Sequence, residues 1–422
     1  MIKRIIRALP SLSKSVSKVS VIGDNSQPGE PCFGYFLGDD GLELCPAPGE
    51  NAVTHLTANE LYSVDRHAIL GITLLLYTNG LSVIFSKEQL QSILIELPAG
   101  QPFSVEARNE SGHMLIAVVS ANKLGVYNCY NGETDIYDLP STLCGGIVHC
   151  GRLFAVDRLK NSKVVWSGLR IYDWEDGIDG SGYILLDGDL GEVQKLENFG
   201  DDILCVRDYG FTVIKALADS RNFRIAPSQS TVKTGRKINV GGVSGQRYYF
   251  STDVGLYSFD GVSVKIEYSV GGSLSAIGRV YVLDDGYVYA DCVYNGTQCI
   301  MRYDLQSGKA VFFAQGCSFP FIHKGETYCV KDGGFFALSP ANAESGRIWR
   351  SKAIGGCGKK TLKNLYVDCD GTPELTVISG DVRRKLSGTG RIPVNLSGER
   401  IYVEISGNAP VKSVVAELEA RK

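Results

Sequence analysis

Short apolar segments separated by glycine-containing turns recur along most of the chain, at intervals of roughly forty residues. Aromatic and β-branched residues flank each turn, which is typical of paired strands. A period of about forty residues is that of a four-stranded propeller blade, and seven or eight such units fit. The sequence therefore predicts an all-β chain whose main part is a seven- or eight-bladed β-propeller. The turns lie at or near residues 39–41, 79–80, 124–132, 160–162, 209–210, 253–255, 295–296 and 332–334.

Closure of these units into a ring has a physical reason. Each small twisted sheet exposes apolar surface and two edges, and radial repetition buries the faces and hides the inner edges. Residues 32–45 form one half-unit at the N-terminal end, so we expect them to supply the strand that closes the last blade. The predicted division is an extended basic arm and linker at 1–31, a propeller at 32–340 and a β-sandwich at 341–422.

The C-terminal segment differs in composition from the repeats. It reads as six short strands separated by turns that contain glycine, at 347–354, 362–368, 374–379, 392–396, 401–406 and 411–418. This pattern favours a small β-sandwich. Two capping-box patterns, at 57–60 and 86–89, predict short helices between strands.

The first eighteen residues contain five basic residues and no acidic one. Such a segment resembles a targeting peptide, but Pro10 would stop a helix early and nothing downstream resembles a matrix enzyme. We predict an extended arm that lies on a neighbouring subunit of an assembled ring, or whose charge touches DNA. A frayed, solvated terminus is the alternative.

Composition limits the classes of function. The chain has 422 residues, of which 44% are apolar and 21% charged, as expected for two or three globular domains. A net charge of −3 gives no overall field that would attract nucleic acid or an anionic membrane. The longest apolar run, 68–77, is about half the length of a membrane span, so no membrane insertion is predicted. The twelve cysteines are scattered without a C-x-x-C pair, which favours free thiols.

Residues 151–217 carry a resemblance to a known group of proteins. The segment begins GRLF at 151–154, has Trp166-Ser167 and then Trp174 in an Asp-rich loop, and continues through Gly191, Leu196 and Phe199 to the FTVI sequence at 211–214. This pattern resembles β-propeller proteins of tailed-phage virions, which include tail nozzle, tail-tube and packaged-DNA-stabilising head-to-tail proteins. Residues 349–351 (WRS) and 360–367 (KTLKNLYV) are similar to segments that follow the propeller in such proteins.

No motif predicts a catalytic, cofactor or metal site. Residues 355–361 lack the spacing of a phosphate loop. Residues 173–180 resemble a calcium loop, but Gly177 stands where the third carboxylate should be and no Glu closes the loop at position twelve, which favours a solvated acidic loop, with a weak cation site as the alternative. The five histidines (His55, His67, His113, His149 and His323) lie in different units. His149 and Cys150 are neighbours on a strand, so their side chains should point to opposite faces. The sequence predicts no enzyme, no catalytic residues, no metal and no cofactor.

The resemblance implies a structural, ring-forming component of the virion tail or head-to-tail connector, assembled in the host bacterial cytoplasm. Its expected partners are identical subunits and portal, adaptor or tail-tube proteins around the DNA channel. The alternative is a host-surface propeller that binds or hydrolyses carbohydrate, for which 21 tyrosines and three tryptophans offer stacking surfaces. An intracellular WD-type scaffold is a third reading.

Overall fold

The computed structural model describes residues 14–22, 29–160, 162–175, 180–186, 188–216, 220–226, 232–283, 285–354 and 358–421. These residues fold almost entirely into strands and turns, and one 3₁₀ turn occurs at Ser220–Asn222. They form two compact units. The repeat unit comprises Pro48–Ala310 and Gln315–Leu338, and the terminal unit comprises the described residues up to Ala47, Val311–Ala314 and those from Ser339 onwards.

Five strands precede the repeats: β1 (Lys14–Ser20), β2 (Gly29–Phe33), β3 (Tyr35–Gly38), β4 (Gly41–Leu44) and β5 (Ala47–Val53). Strands β3 and β4 form the hairpin that the Asp39-Asp40 turn predicts. That hairpin pairs with C-terminal strands rather than with the last repeat.

Seven antiparallel sheets follow one another along the described chain, with most of their strands in the repeat unit. Sheets 1 to 3 are β6 (Leu61–His67), β7 (Ile72–Tyr77), β8 (Leu81–Ile84), β9 (Ser92–Glu96); β10 (Phe103–Arg108), β11 (Met114–Ser120), β12 (Lys123–Asn128), β13 (Thr134–Asp138); and β14 (Leu143–His149), β15 (Arg152–Asp157), β16 (Lys163–Trp166), β17 (Gly182–Leu185). Sheets 4 and 5 are β18 (Val193–Phe199), β19 (Asp202–Arg207), β20 (Gly210–Lys215), β21 (Arg224–Ile225), β22 (Val232–Lys233); and β23 (Asn239–Ser244), β24 (Arg247–Ser251), β25 (Gly255–Phe259), β26 (Val264–Ser269). Sheet 6 is β27 (Leu274–Val282), β28 (Tyr287–Tyr294), β29 (Thr297–Asp304) and β30 (Ala310–Phe313).

Sheet 7 joins the two ends of the repeat unit. Its first three strands are β31 (Ser318–His323), β32 (Glu326–Lys331) and β33 (Gly334–Ser339), and its fourth is β5 from the N-terminal side. The predicted closing strand at residues 32–45 is therefore wrong, and the repeat unit begins at Pro48 instead of residue 32. The β3–β4 hairpin buries Tyr35 and Leu42 in the core of the terminal unit, which fixes it there.

Apolar cores link most neighbouring sheets. One core joins Leu74 of sheet 1 to Ile116 of sheet 2, and similar cores join sheets 2 and 3, 3 and 4, and 4 and 5. Val53 of β5, Leu75 of sheet 1 and Phe335 of sheet 7 share another core, so the last sheet packs on the first. Hydrogen bonds also join sheet 5 to sheet 6 and sheet 6 to sheet 7. Successive sheets that close on themselves constitute a β-propeller, the predicted architecture.

Six of the seven first strands carry a register shift against the second strand of their sheet, in the described part of the chain. Such bulges increase the local twist of a strand. The first strands lie at the centre of the ring, where the sheets converge. Added twist there lets each sheet run from the crowded centre to the more open outer edge.

The terminal unit contains two sheets around one core. Its remaining strands are β34 (Ile348–Arg350), β35 (Lys360–Cys369), β36 (Glu374–Ser379), β37 (Val382–Ser387), β38 (Gly390–Gly398), β39 (Ile401–Ser406) and β40 (Val411–Arg421). One sheet has the order β3-β4-β40-β35-β38, with β1 also on β40, and the other has the order β2-β34-β39-β36-β37. The six C-terminal strands expected from sequence are confirmed, and β37 is a seventh that its basic, exposed sequence concealed.

Three further expectations need correction. Lys14–Ser20 of the extended arm, which was expected to lie on a neighbouring subunit, is a strand on β40 of the same chain, and residues 1–13 lie outside the described ones. Neither capping box begins a helix. The hydroxyls of Thr57 and Ser86 instead accept hydrogen bonds from the N–H groups of Asn59 and Glu88, two residues on. Such local bonds stabilise turns, and the apolar run after Ser86 forms the strand β9.

Candidate functional site

The first strands of all seven sheets line two adjoining cavities of about 490 Å³ and 390 Å³. Asp65, Arg66, Lys195, Glu197 and Arg279 line both. Because β6, β10, β14, β18, β23, β27 and β31 all contribute, the cavities mark the place where the sheets converge. A polar lining of both charges distinguishes this space from the apolar cores between sheets.

A cluster of four polar side chains joins the first strands of sheets 1 and 2. The hydroxyl of Ser104 lies 2.9 Å from Nε2 of His67 and 2.7 Å from Oδ2 of Asp65. The backbone N–H of Ser104 also donates to that Asp65 oxygen, at 3.0 Å. A carboxylate only accepts hydrogen bonds, so the Ser104 hydroxyl donates to Asp65 and Nε2–H of His67 donates to Ser104.

The fourth member, Glu106, faces the other ring nitrogen of His67. Its Oε1 lies 3.6 Å from Nδ1, and in the described structure this buried oxygen has no hydrogen-bond partner. Burial lowers the pKa of His67, while the carboxylates of Asp65 and Glu106 oppose that shift. A proton added at Nδ1 would point at Glu106. The cluster can therefore take up one proton, at Nδ1 of His67, where it would face the carboxylate of Glu106.

The cluster does not present an activated nucleophile. A serine nucleophile needs a base that accepts its proton, and here the Ser104 proton is directed to Asp65 while His67 donates. The arrangement suits a structural link between sheets better than acyl transfer.

The opposite wall is occupied by charged groups that bind one another. Lys195 pairs with Glu197 at 2.6 Å and donates to the carbonyl of Gly241 at 3.2 Å. Arg279 donates to the carbonyl of Tyr62 at 2.8 Å. These bonds join β18 to β23 of the neighbouring sheet and β27 to β6 of sheet 1, so the cationic side chains link separate sheets of the ring.

Arg279 also covers two aromatic rings of this wall. Its guanidinium carbon lies 5.6 Å from the ring centre of Tyr281 and 5.3 Å from that of Phe319. Cation–π contact of this kind occupies the ring face that a sugar would otherwise stack on.

Behind this wall, Asp291 joins sheets 6 and 7. Its carboxylate accepts from the hydroxyl of Tyr281 at 2.7 Å and from the N–H of Phe319 at 3.2 Å. Burial nevertheless raises the pKa of Asp291 to about 6. Sheets 5 and 6 are joined in a similar way, since the hydroxyl of Ser251 donates to the carbonyl of Gly278 at 2.5 Å.

The outer edges of the sheets form a second candidate surface. The fourth strands of sheets 1 to 5 pair on one side only within the described chain, and each exposes large apolar side chains. Tyr183 is 60% exposed, and Ile136 is 56% exposed. The others are Ile93, Leu185, Ile225 and Ile266. An exposed strand edge with apolar side chains is a surface prone to pairing.

The sequence singled out few of these groups. His149 is buried and its Nδ1 lies 2.8 Å from Oδ1 of Asn198, while Cys150 is exposed in the following turn. His323 contacts Thr73 in the core. No motif in the sequence marks the cluster, although Asp65-x-His67 and Ser104-x-Glu106 have the period-two spacing that places each pair on one strand face.

The rejected loop motifs lie partly outside the described residues, at 355–357 and 176–179. Where the chain is described, no group of three or more His, Cys, Asp or Glu side chains is placed to hold a metal ion. In the same residues, no helix has the length and hydropathy needed to cross a bilayer.

Comparison with known proteins gives similarities of structure only. No family model matches the chain, and no curated protein matches it. The Cps50 (Swd1) β-propeller domain of Myceliophteria thermophila superposes with a TM-score of 0.44 at 11% identity, over 66% of this chain and 96% of that one. A catalytically inactive virginiamycin B lyase of Staphylococcus aureus, solved with quinupristin, superposes with a TM-score of 0.49 at 10% identity, over 68% of this chain and 96% of that one. The RRP9 WD40 repeats superpose with a TM-score of 0.44 at 9% identity, over 70% of this chain and 100% of that one. The propeller assignment accordingly rests on the strand pairings and shared cores described above.

Proposed function

We propose that the protein is a structural, ring-forming component of a tailed-phage particle, placed near the tail or the head-to-tail junction, and that it acts by protein–protein contact. The particle is suggested by the resemblance of residues 151–217. We infer further that the seven sheets are the blades of a seven-bladed propeller and that the terminal unit is a β-sandwich.

The observation that carries the proposal is the row of exposed apolar side chains on the outer strands of five consecutive sheets. Burying one such aliphatic or aromatic side chain contributes about 1.5–3 kcal/mol. An interface repeated around a ring multiplies that contribution by the number of subunits. Identical copies of the chain are therefore the proposed occupants of these edges, and portal, adaptor or tail-tube proteins would complete the channel.

The polar cavity supports contact rather than catalysis. Lys195 pairs with Glu197, the Ser104 hydroxyl donates to Asp65 and His67 donates to Ser104, so the histidine is not placed as a base that takes the Ser104 proton. The alternative, a propeller that binds or hydrolyses carbohydrate, would need free aromatic faces beside the polar groups. Arg279 covers those of Tyr281 and Phe319.

The test compares two double variants by size-exclusion chromatography with light scattering and by negative-stain electron microscopy. Ile136→Lys with Tyr183→Lys places charges on the outer strands of sheets 2 and 3. Leu159→Lys with Val262→Lys is the matched control, because these side chains are 80% and 75% exposed but lie in turns. We expect rings from the wild type and the control, and the 45.7 kDa monomer from the edge variant.

A wild type that stays monomeric at tens of micromolar, where a standard-sized homomeric interface would hold, would contradict the proposal. So would an edge variant that assembles as the wild type does. Turnover of host cell-wall glycan that a single carboxylate substitution abolishes would favour the alternative function.

A further inference from the structure

Two pairs of buried cysteines lie side by side in sheets 6 and 7. The sulfur atoms of Cys292 and Cys299 are 3.3 Å apart, and those of Cys317 and Cys329 are 3.1 Å apart. All four side chains are at most 3% exposed. Each pair connects adjacent segments of one sheet, since Cys292 and Cys299 face each other on β28 and β29, while Cys317 precedes β31 and Cys329 lies on β32.

The backbone already places the first pair at bridging distance. Residues directly opposite each other in antiparallel strands have Cα atoms about 4.5–5.5 Å apart. A disulfide requires about 4.4–6.8 Å, so no backbone movement is needed. The hairpin register is fixed by Asn295 and Gly296, whose φ values of +49° and +74° suit a two-residue turn.

We propose that these four cysteines are a modification site, oxidised by hydrogen peroxide to two intrachain disulfides, Cys292–Cys299 and Cys317–Cys329. In each pair one thiolate attacks a peroxide oxygen and the O–O bond breaks, which gives a sulfenic acid and a hydroxide that takes up the proton lost by that thiol and becomes water. The partner thiolate then attacks the sulfenic sulfur and the S–O bond breaks, and the hydroxide that leaves takes up the second thiol's proton to form the second water. Two thiols lose two protons and two electrons, and one peroxide becomes two waters.

The reaction should be slow in the closed sheet. The hydrogen bond to Cys299, together with burial, raises the pKa of Cys292, and only the thiolate is an efficient nucleophile. Oxidation therefore proceeds through local opening of the strands. The proposal is independent of the assembly proposed above, because it concerns contacts inside one chain.

The test uses the full-length protein, reduced, desalted and exposed to millimolar hydrogen peroxide, then denatured, alkylated and digested for mass spectrometry. Trypsin leaves Cys292 and Cys299 on one peptide, 280–302, which should be two hydrogens lighter than its reduced form. Chymotryptic cleavage after Tyr294 should yield two peptides joined by the disulfide. Tryptic peptides 310–324 and 325–331 should also be found joined, through Cys317 and Cys329.

Variants supply the controls. Cys292→Ala should abolish the first link and leave the second, and Cys205→Ala, at an equally buried cysteine of sheet 4, should leave both. Full alkylation of all four thiols after prolonged peroxide treatment, in native and in mildly urea-loosened protein, would overturn the proposal. Links from these four cysteines to other partners would overturn it as well.

Discussion

At the scale of single residues, this protein places ionisable groups between its sheets and satisfies them with hydrogen bonds from neighbouring strands. Asp65 of sheet 1 accepts a hydrogen bond from Ser104 of sheet 2. Asp291 of sheet 6 accepts one from the N–H of Phe319 in sheet 7. The arrangement makes stability depend on pH, because a buried group that changes charge changes the link that it forms.

Asp291 should destabilise the folded protein above about pH 6. Its folded pKa of about 6 lies above the ordinary value near 3.8, so its favourable contribution is complete at low pH and is lost as the pH rises through 6. Asp291→Asn keeps a bond to Phe319 N–H and donates to the Tyr281 hydroxyl. We expect the free energy of unfolding of this variant to exceed that of the wild type by roughly 2 kcal/mol at pH 8 and to differ little from it at pH 4. Thermal or urea unfolding at both values measures this, with Asp201→Asn, in an exposed turn, as the control.

His67 should act in the opposite direction. Burial lowers its folded pKa, so the unfolded chain takes up the proton first. The stability that neutral His67 provides is complete above the ordinary histidine pKa of about 6.5. It is lost as the pH falls through the lowered pKa of the folded state. His67→Gln still donates to Ser104 but does not titrate. The loss in melting temperature between about pH 7.5 and about pH 5 should be smaller in this variant than in wild type, and an equal loss in both would contradict the assignment.

At the scale of strands, the closing strand β5 determines whether the repeats form a ring. Val53 is 1% exposed and packs between sheets 7 and 1, whereas Glu50 of the same strand is exposed. Val53→Asp buries an unpaired charge, which we expect to cost more than about 3 kcal/mol. Glu50→Lys should change stability by less than about 0.5 kcal/mol. Urea denaturation measures both, and similar midpoints for the two variants would show that β5 does not close the ring.

At the scale of the whole chain, the two ends of the sequence fold together. The terminal unit combines N-terminal strands with β34 to β40, and the repeat unit takes β5 to complete sheet 7. Neither unit is a continuous segment of the sequence. Contacts between such distant segments require closure of long loops, so we expect sheets 1 to 6 to form before sheet 7 and the terminal unit.

Local patterns determined most of the strands and turns from sequence alone. The hairpin β15–β16 follows from residues 152–169, and β19–β20 follows from the Tyr209-Gly210 turn, because turn chemistry and period-two alternation act over a few residues. The forty-residue period then implied repeated sheets. The helix predictions at the two capping boxes are wrong because the hydroxyls accept hydrogen bonds from N–H groups two residues away, in turns. The same residue types allow either arrangement.

Only the tertiary structure decided which segments meet. Turn signals predicted paired strands at residues 32–45 but marked no strand at 47–53, and burial of Tyr35 and Leu42 in one core and of Val53 in another assigned the two segments to different units. The Ser104–His67 contact spans 37 positions, and the Cys317–Cys329 contact spans 12. For His67, Ser104 and Cys329, which lie on strands, local alternation along the strand sets the face on which the side chain lies. Their partners depend on the register and packing of separate strands, which the packing of the whole chain selects.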